Sequence, residues 1–161
     1  MRKWCRLNFF LLIITLACTI FLVEFEVSAQ SVNELIISEI MADPTPSKGL
    51  PEKEYIELYN RSDKIIDLYR FKLTYNNTTV IFPSFLLQPQ SYVLIANKTN
   101  EKDFQSYGNV IGLSSFSLLN TGTTLTIRSP QNKTIFSVTY SDKWYEKNKA
   151  QGFSQIGRAH V

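Results

Sequence analysis

Hydrophobic and polar residues alternate with a period of two along much of the chain after residue 30. In residues 123–128, Leu125 and Ile127 fall on one side of an extended chain, whereas Thr124, Thr126 and Arg128 fall on the other. Such alternation is typical of strands that have one face on a core and the other toward water. Segments rich in Ile, Val, Thr, Tyr and Phe predict strands over residues 35–40, 55–59, 71–75, 79–82, 92–96, 123–128 and 134–140.

Turn-forming residues separate these segments. Residues 43–51 contain three prolines, which exclude a helix there. Asn76 and Asn77 predict a tight hairpin turn, because Asn tolerates a positive φ. Residues 120–122 and 129–132 predict two further hairpins, and only residues 101–107 suit a helical turn. Seven or more short strands between frequent turns predict an all-β sandwich.

The first 29 residues have the three parts of a secretory signal peptide. Arg2, Lys3 and Arg6 precede an apolar run over residues 9–23, and small residues lead to a cleavage site after Ala29. The run is shorter than the roughly 20 residues that span a bilayer as a helix, which disfavours a retained anchor. Residues 15–18, which end at Cys18, resemble a lipobox and leave a lipoprotein as another alternative. We expect export by the general secretory route, with a secreted or cell-surface destination and membrane contact only through the leader.

Composition narrows the chemistry of the exported part. Both cysteines, Cys5 and Cys18, lie in the predicted leader, so the mature chain has no disulfide and no thiolate metal ligand. Three of the 17 basic and two of the 14 acidic residues also lie there, which leaves 14 basic and 12 acidic residues. Because the remaining cations are scattered singly, no nucleic-acid partner is expected.

Candidate site residues are few. The mature chain lacks cysteine, and its single histidine, His160, lies among the last seven residues, which we do not attribute to the gene. The sequence therefore predicts neither catalytic residues nor a cofactor. Asp43, Glu52 and Glu54 flank the proline-rich loop and are weak candidates for a calcium site, since Ca²⁺ prefers oxygen ligands. The alternative is that these carboxylates pair with neighbours or accept hydrogen bonds from loop amides.

Trp144 and Tyr145 are the candidate interaction residues. They follow the last predicted strand and stand in a polar, lysine-rich segment. Aromatic side chains in a sandwich more often fill the core or cover its ends. If an aromatic patch is exposed, these two residues are its candidates, and the partner would be a protein or another cell-surface component.

Residues 35–46 (LIISEIMADPTP) and 49–60 (GLPEKEYIELYN) resemble the opening of a lamin tail domain in its bacterial, secreted form. The continuation over residues 87–94 (LQPQSYVL) and 138–140 (VTY) is also similar. The resemblance implies an immunoglobulin-like β-sandwich over residues 30–154 and no enzymatic activity. It favours an exported interaction or structural module. The alternative is the N-terminal accessory domain of a longer secreted hydrolase, a nuclease or phosphatase.

The last residues, 156–161, correspond to the translation of a short-read sequencing adapter. We therefore predict that residues 155–161 do not derive from the gene. On this interpretation the gene continues past this point, and the last strand and any downstream domain are missing from this sequence. An incomplete sandwich would leave a sheet edge unpaired.

Overall fold

The computed structural model describes residues 31–46 and 49–144, together with the backbone of residues 155 and 156. Over these residues the chain is an all-β sandwich, as the hydrophobic pattern predicts. The predicted signal peptide lies outside the described residues, so export stays a prediction. No helix within the described ranges is long and apolar enough to cross a membrane.

The strands are short and follow the alternating segments of the sequence. They are β1 (Leu35–Met41), β2 (Tyr55–Asn60), β3 (Ile66–Asp67), β4 (Lys72–Tyr75), β5 (Thr78–Ile81), β6 (Leu86–Leu87), β7 (Tyr92–Asn97), β8 (Val110–Leu113), β9 (Gly122–Arg128), β10 (Thr134–Ser141) and β11 (Gln155–Ile156). A short helix, α1 (Glu101–Phe104), follows a 3₁₀ turn at Lys98–Asn100, and a second 3₁₀ turn occupies Asp142–Trp144.

Two main sheets form the layers of the sandwich. The five-stranded sheet has the order β11-β1-β2-β7-β8, and the four-stranded sheet has the order β10-β9-β4-β5. A small ribbon of β3 and β6 forms a third sheet. Neighbouring strands of the main sheets are antiparallel except β7 and β8, which run parallel because the 3₁₀ turn and α1 carry the chain across between them. Parallel neighbours need such a crossover connection.

The core lies between the two main sheets. Its members are apolar residues at alternating strand positions, so each strand buries one face. The fully buried members include Leu35, Ile56, Leu58, Leu73, Ile95, Leu125 and Ile127. A second, smaller cluster lies on the outer side of the five-stranded sheet, where Phe104 of α1 covers Met41, Tyr55 and Ala96. The helix therefore closes one end of that outer face.

Two of the predicted turns are confirmed and one is corrected. Asn76 and Asn77 both have positive φ in the hairpin between β4 and β5, and Asn132 has positive φ in the turn between β9 and β10. Residues 120–122 do not close a hairpin, because β8 and β9 belong to different sheets. They form the turn that leads the chain from one layer into the other, where the Gly122 amide donates to the Leu119 carbonyl at 3.0 Å.

The edge of β1 carries a two-residue strand. Glu39 pairs with Ile156 and Ile40 pairs with Gln155 in antiparallel register. These two backbone pairs occupy part of the outer edge of β1. The origin of residues 155–161 is not tested by this pairing and stays a prediction.

Candidate interaction surfaces

The acidic residues around the proline-rich loop have separate surroundings. The Glu54 carboxylate accepts a hydrogen bond from the Leu118 amide at 2.9 Å and so ties the loop before β9 to the start of β2. Burial raises the pKa of Glu54, and hydrogen bonds from Leu118 and Ser117 lower it in part. Asp43 is half-buried and Glu52 is exposed. Within the described residues, no three His, Cys, Asp or Glu side chains are grouped to hold a metal. Calcium binding stays a prediction.

Trp144 lies in the 3₁₀ turn after β10 and is 41% exposed. This position leaves its ring open to a partner. Tyr145 falls outside the described residues, so the predicted aromatic pair is described for one of its members only.

A stacked tyrosine pair lies on the open part of the outer face of the five-stranded sheet. Tyr59 of β2 and Tyr92 of β7 are direct cross-strand neighbours, with ring centroids 4.4 Å apart and an angle of 20° between the rings. The Tyr59 hydroxyl donates to the Gln90 side chain, whose amide donates to the carbonyls of Arg61 and Ser62. The pair is thus held in place while Tyr92 remains 50% exposed.

Two carboxylates lie next to the tyrosines on the same face of the sheet. Glu57 is two residues from Tyr59 along β2, and Glu39 is the cross-strand partner of Glu57. A bulge between Ile37 and Glu39 places both Ser38 and Glu39 opposite Glu57. The Ser38 hydroxyl donates to Glu57 at 2.7 Å, and the Tyr55 hydroxyl donates to Glu39 at 2.5 Å. Burial raises the pKa of Glu57, the hydrogen bond from Ser38 lowers it, and the negative charge of Glu39 raises it further. We call Ser38, Glu39, Glu57, Tyr59 and Tyr92 the tyrosine–carboxylate surface.

The outer face of the four-stranded sheet has the opposite character. Hydroxyl groups pair across its strands, with Thr124 and Thr139 at 2.7 Å and Thr126 and Ser137 at 3.0 Å. The Thr74 and Thr79 hydroxyls form a further pair on the neighbouring strands at 3.0 Å. Lys72 of β4 lies directly opposite Arg128 of β9. We call the six hydroxyl residues together with Lys72 and Arg128 the hydroxyl–cation surface.

Neither surface was predicted from the sequence, although part of the signal was present. Tyr59 and Glu57 are two positions apart in a predicted strand, and side chains at that spacing lie on the same face of a strand. The pairing of Tyr59 with Tyr92 depends on β2 lying beside β7, which no local pattern reveals. The bulge in β1 likewise changes which residue faces Glu57, and it has no turn residue to mark it.

Comparison with known protein families identifies a match. A family model described as the Lamin Tail Domain matches residues 28–142, which cover the described strands from β1 to β10. No curated protein matches the chain significantly. The match spans both sheets and therefore includes both of the surfaces described above.

Proposed function

The chain belongs to the lamin tail domain family, and on that basis we propose that it is an exported, non-enzymatic interaction and structural module of the cell surface or extracellular space. Lamin tail domains have an immunoglobulin-like fold that generally serves as a structural or interaction module. Export rests on the leader-like residues 1–29. The interaction role rests on the surface of the folded domain.

The observation that carries the proposal is the stacked pair of Tyr59 and Tyr92. A tyrosine that is 50% exposed leaves a large apolar ring in water, and its hydroxyl can still form hydrogen bonds. Tyrosine is enriched among the residues that dominate binding energy at interfaces, in part because two torsions suffice to fix it. Here the stacking and the Gln90 hydrogen bond have already fixed Tyr59, so binding costs little further ordering.

A cell-retention assay tests this proposal. Labelled mature domain is incubated with intact cells or envelope fragments of the source organism, and the bound fraction is measured against concentration. We expect Tyr92→Ala to weaken retention about ten-fold or more, as for a central interface tyrosine. The matched control is Tyr69→Ala, because Tyr69 is 56% exposed but lies beyond β3, away from the tyrosine–carboxylate surface. Absence of retention, or equal retention by the two variants, would contradict an interaction role for this surface.

A fractionation experiment tests the location. The full chain is expressed with its own leader, and the cytoplasm, envelope and medium are assayed for the protein. We expect the folded domain in the envelope or the medium. Accumulation in the cytoplasm would refute export.

A further inference from the structure

The two main sheets of the sandwich carry charges of opposite sign. Strands β1, β2, β7, β8 and β11 contain no Lys or Arg, and their charged residues are Glu39 and Glu57. Strands β4, β5, β9 and β10 contain no Asp or Glu, and their charged residues are Lys72 and Arg128. The strands of the described domain are therefore polarised, with an acidic layer and a basic layer back to back.

Each layer brings its two like charges together. Glu39 and Glu57 are cross-strand partners in one sheet, and Lys72 and Arg128 are cross-strand partners in the other. Like charges directly opposite each other on a sheet destabilise the fold. Among the described residues, neither pair forms a salt bridge with an opposite charge, as Lys98 does with Glu101. Both pairs therefore cost free energy in the isolated domain.

The two charge pairs match in spacing. Directly opposed residues of an antiparallel ladder have Cα atoms about 4.5–5.5 Å apart, whichever sheet they belong to. The side chains are also held in place. Ser38 and Tyr55 donate to the carboxylates, while the Arg128 guanidinium donates to the Thr134 hydroxyl at 2.9 Å. The Lys72 ammonium donates to the Asn132 side chain. A carboxylate pair of one molecule can therefore meet a cation pair of another, two against two.

The residues beside the charges also fit. In the acidic layer, Tyr59 lies two residues along β2 from Glu57. Tyr92 lies two residues along β7 from Leu94, which is the cross-strand neighbour of Glu57. In the basic layer, Thr74 and Thr126 lie two residues from Lys72 and Arg128. Threonine offers a methyl group to a tyrosine ring and a hydroxyl group to a neighbouring polar atom. When the charge pairs are aligned, Tyr59 would lie on one of these two threonines, because Tyr59 is beside Glu57 on β2. Tyr92, one strand farther on, would lie on the next hydroxyl group of that row, Thr79 or Ser137.

We propose that the partner of the tyrosine–carboxylate surface is a second copy of this chain, which docks through its hydroxyl–cation surface. The contact joins two different surfaces, so it is heterologous, and each bound copy leaves one surface of each kind free. Repeated docking produces a closed ring or an open chain of domains. This inference deepens the proposed function by naming the partner, and it rests on that function.

Sedimentation of the mature domain tests the proposal. We expect the average mass to rise with protein concentration at low salt. Because the contact is electrostatic, raising the salt from about 50 mM to about 500 mM should weaken it about ten-fold or more. A domain that remains monomeric at millimolar concentration and low salt would overturn the proposal.

Charge exchange between the surfaces provides the decisive variants. Glu39→Lys with Glu57→Lys makes both layers basic, and Lys72→Glu with Arg128→Glu makes both layers acidic. Each double variant alone should lose assembly, whereas an equimolar mixture should regain it. Recovery in the mixture excludes misfolding as the cause of loss, and loss without recovery in folded proteins contradicts the docking model.

Control variants carry charge reversals of the same sign elsewhere in the domain, each half the size of the change in the corresponding double variant. Asp63→Lys and Lys64→Glu reverse exposed charges in the turn after β2, outside both surfaces, and should assemble like the unaltered domain. Assembly lost equally in these controls would indicate a net-charge effect and overturn the inference. Retention on cells that depends on Tyr92 in a strictly monomeric domain would leave the proposed function standing and refute self-association. Assembly of a domain that shows no retention on cells would support self-association and contradict the proposed role on the cell surface.

Discussion

Asn60 connects the turn that follows β2 with the segment at the end of β6. Its side-chain amide donates to the carbonyls of Lys64, Leu87 and Gln88, and its oxygen accepts from the amide and hydroxyl of Ser62. The residue is completely buried, so its place in a glycosylation-type Asn-x-Ser sequence has no surface consequence. The side chain holds the turn after β2 against β6.

Replacement of the Asn60 amide by a carboxylate tests this role. Asn60→Asp keeps the size but sets an oxygen against three carbonyls and buries a charge, which should lower the free energy of unfolding by about 3 kcal/mol or more. The measurement is urea unfolding followed by fluorescence. Asn77→Asp, in the exposed hairpin turn, is the matched control and should change stability little. Equal effects of the two variants would contradict the proposed role of Asn60.

Gly122 allows β9 to begin directly beside β10. It has a φ of +111°, and a Cβ built on it would lie 2.2 Å from the Tyr140 carbonyl oxygen. The obstacle is backbone, which cannot move aside without breaking the ladder. We expect Gly122→Ala to destabilise the domain by about 3 kcal/mol or more, through strain and overlap together.

A second glycine, Gly108, allows the cost of backbone strain to be measured separately from the cost of steric overlap. Gly108 has a φ of +149°, but no atom lies within 4 Å of the position that a Cβ would take there. Gly108→Ala should therefore cost strain alone, about 1–2 kcal/mol, as measured by thermal unfolding. If Gly122→Ala were no worse than Gly108→Ala, overlap with Tyr140 would not be the reason for the glycine.

Glu57 should make stability depend on pH in a defined direction. Burial raises its folded-state pKa above the ordinary value of 4.5, so the folded domain holds the proton more tightly than the unfolded chain. The unfolding free energy therefore falls as the pH rises from that value through the folded pKa. Glu57→Gln keeps the acceptor for Ser38 and removes the repulsion from Glu39. It should stabilise the dilute domain by about 0.2–1 kcal/mol at neutral pH.

The pH profile checks the sign. Unfolding of the unaltered domain and of Glu57→Gln is compared at about pH 7 and at about pH 3. At the lower pH the side chain at position 57 is uncharged in both proteins. We expect the advantage of Glu57→Gln to vanish at the lower pH. An advantage that persists there would assign the effect to packing rather than to charge.

At the scale of elements, periodicity predicted the long strands well. Strands β1, β2, β7, β9 and β10 begin and end within about two residues of the predicted segments, because each has several alternating apolar residues. Strands β3 and β6 were missed because two residues cannot display a period. Strand β8 was missed because it is four residues long and contains a glycine, which usually marks a turn. Their existence depends on neighbours that only the tertiary fold supplies.

The glycine of β8 has a packing role that can be tested. A Cβ on Gly112 would lie 2.6 Å from a Glu101 carboxylate oxygen and 2.9 Å from the Lys98 Cα atom. The crossover segment therefore rests directly on the β8 backbone. Gly112→Ala should push this segment away and cost about 1–3 kcal/mol, with faster amide exchange confined to residues 98–104. Unchanged exchange there would show that the crossover does not depend on this close approach.

At the scale of the whole molecule, charge separation between the sheets could not be predicted from the sequence. Glu39 and Glu57 become neighbours only through the strand order, and so do Lys72 and Arg128. The net charge of the chain reveals neither pair, because the two negative and two positive charges cancel. The fold class was predictable because it depends on composition and period. The interaction surfaces depend on register, which a single bulge in β1 alters. The candidate site was therefore the less predictable part.

The predicted leader would determine which environment the folded domain meets. We expect export to remove residues 1–29, because signal peptidase requires small residues before the cleavage site. The purified exported protein should begin at Gln30 and contain no cysteine, so its unfolding should be unaffected by a reductant. Ala29→Phe places a bulky residue at the site and should block cleavage, whereas Ser28→Phe, one position earlier, should be tolerated. Mass spectrometry of the intact protein distinguishes the outcomes. An uncleaved N-terminus in the membrane would indicate an anchor, and a lipid-modified chain beginning at Cys18 would indicate a lipoprotein.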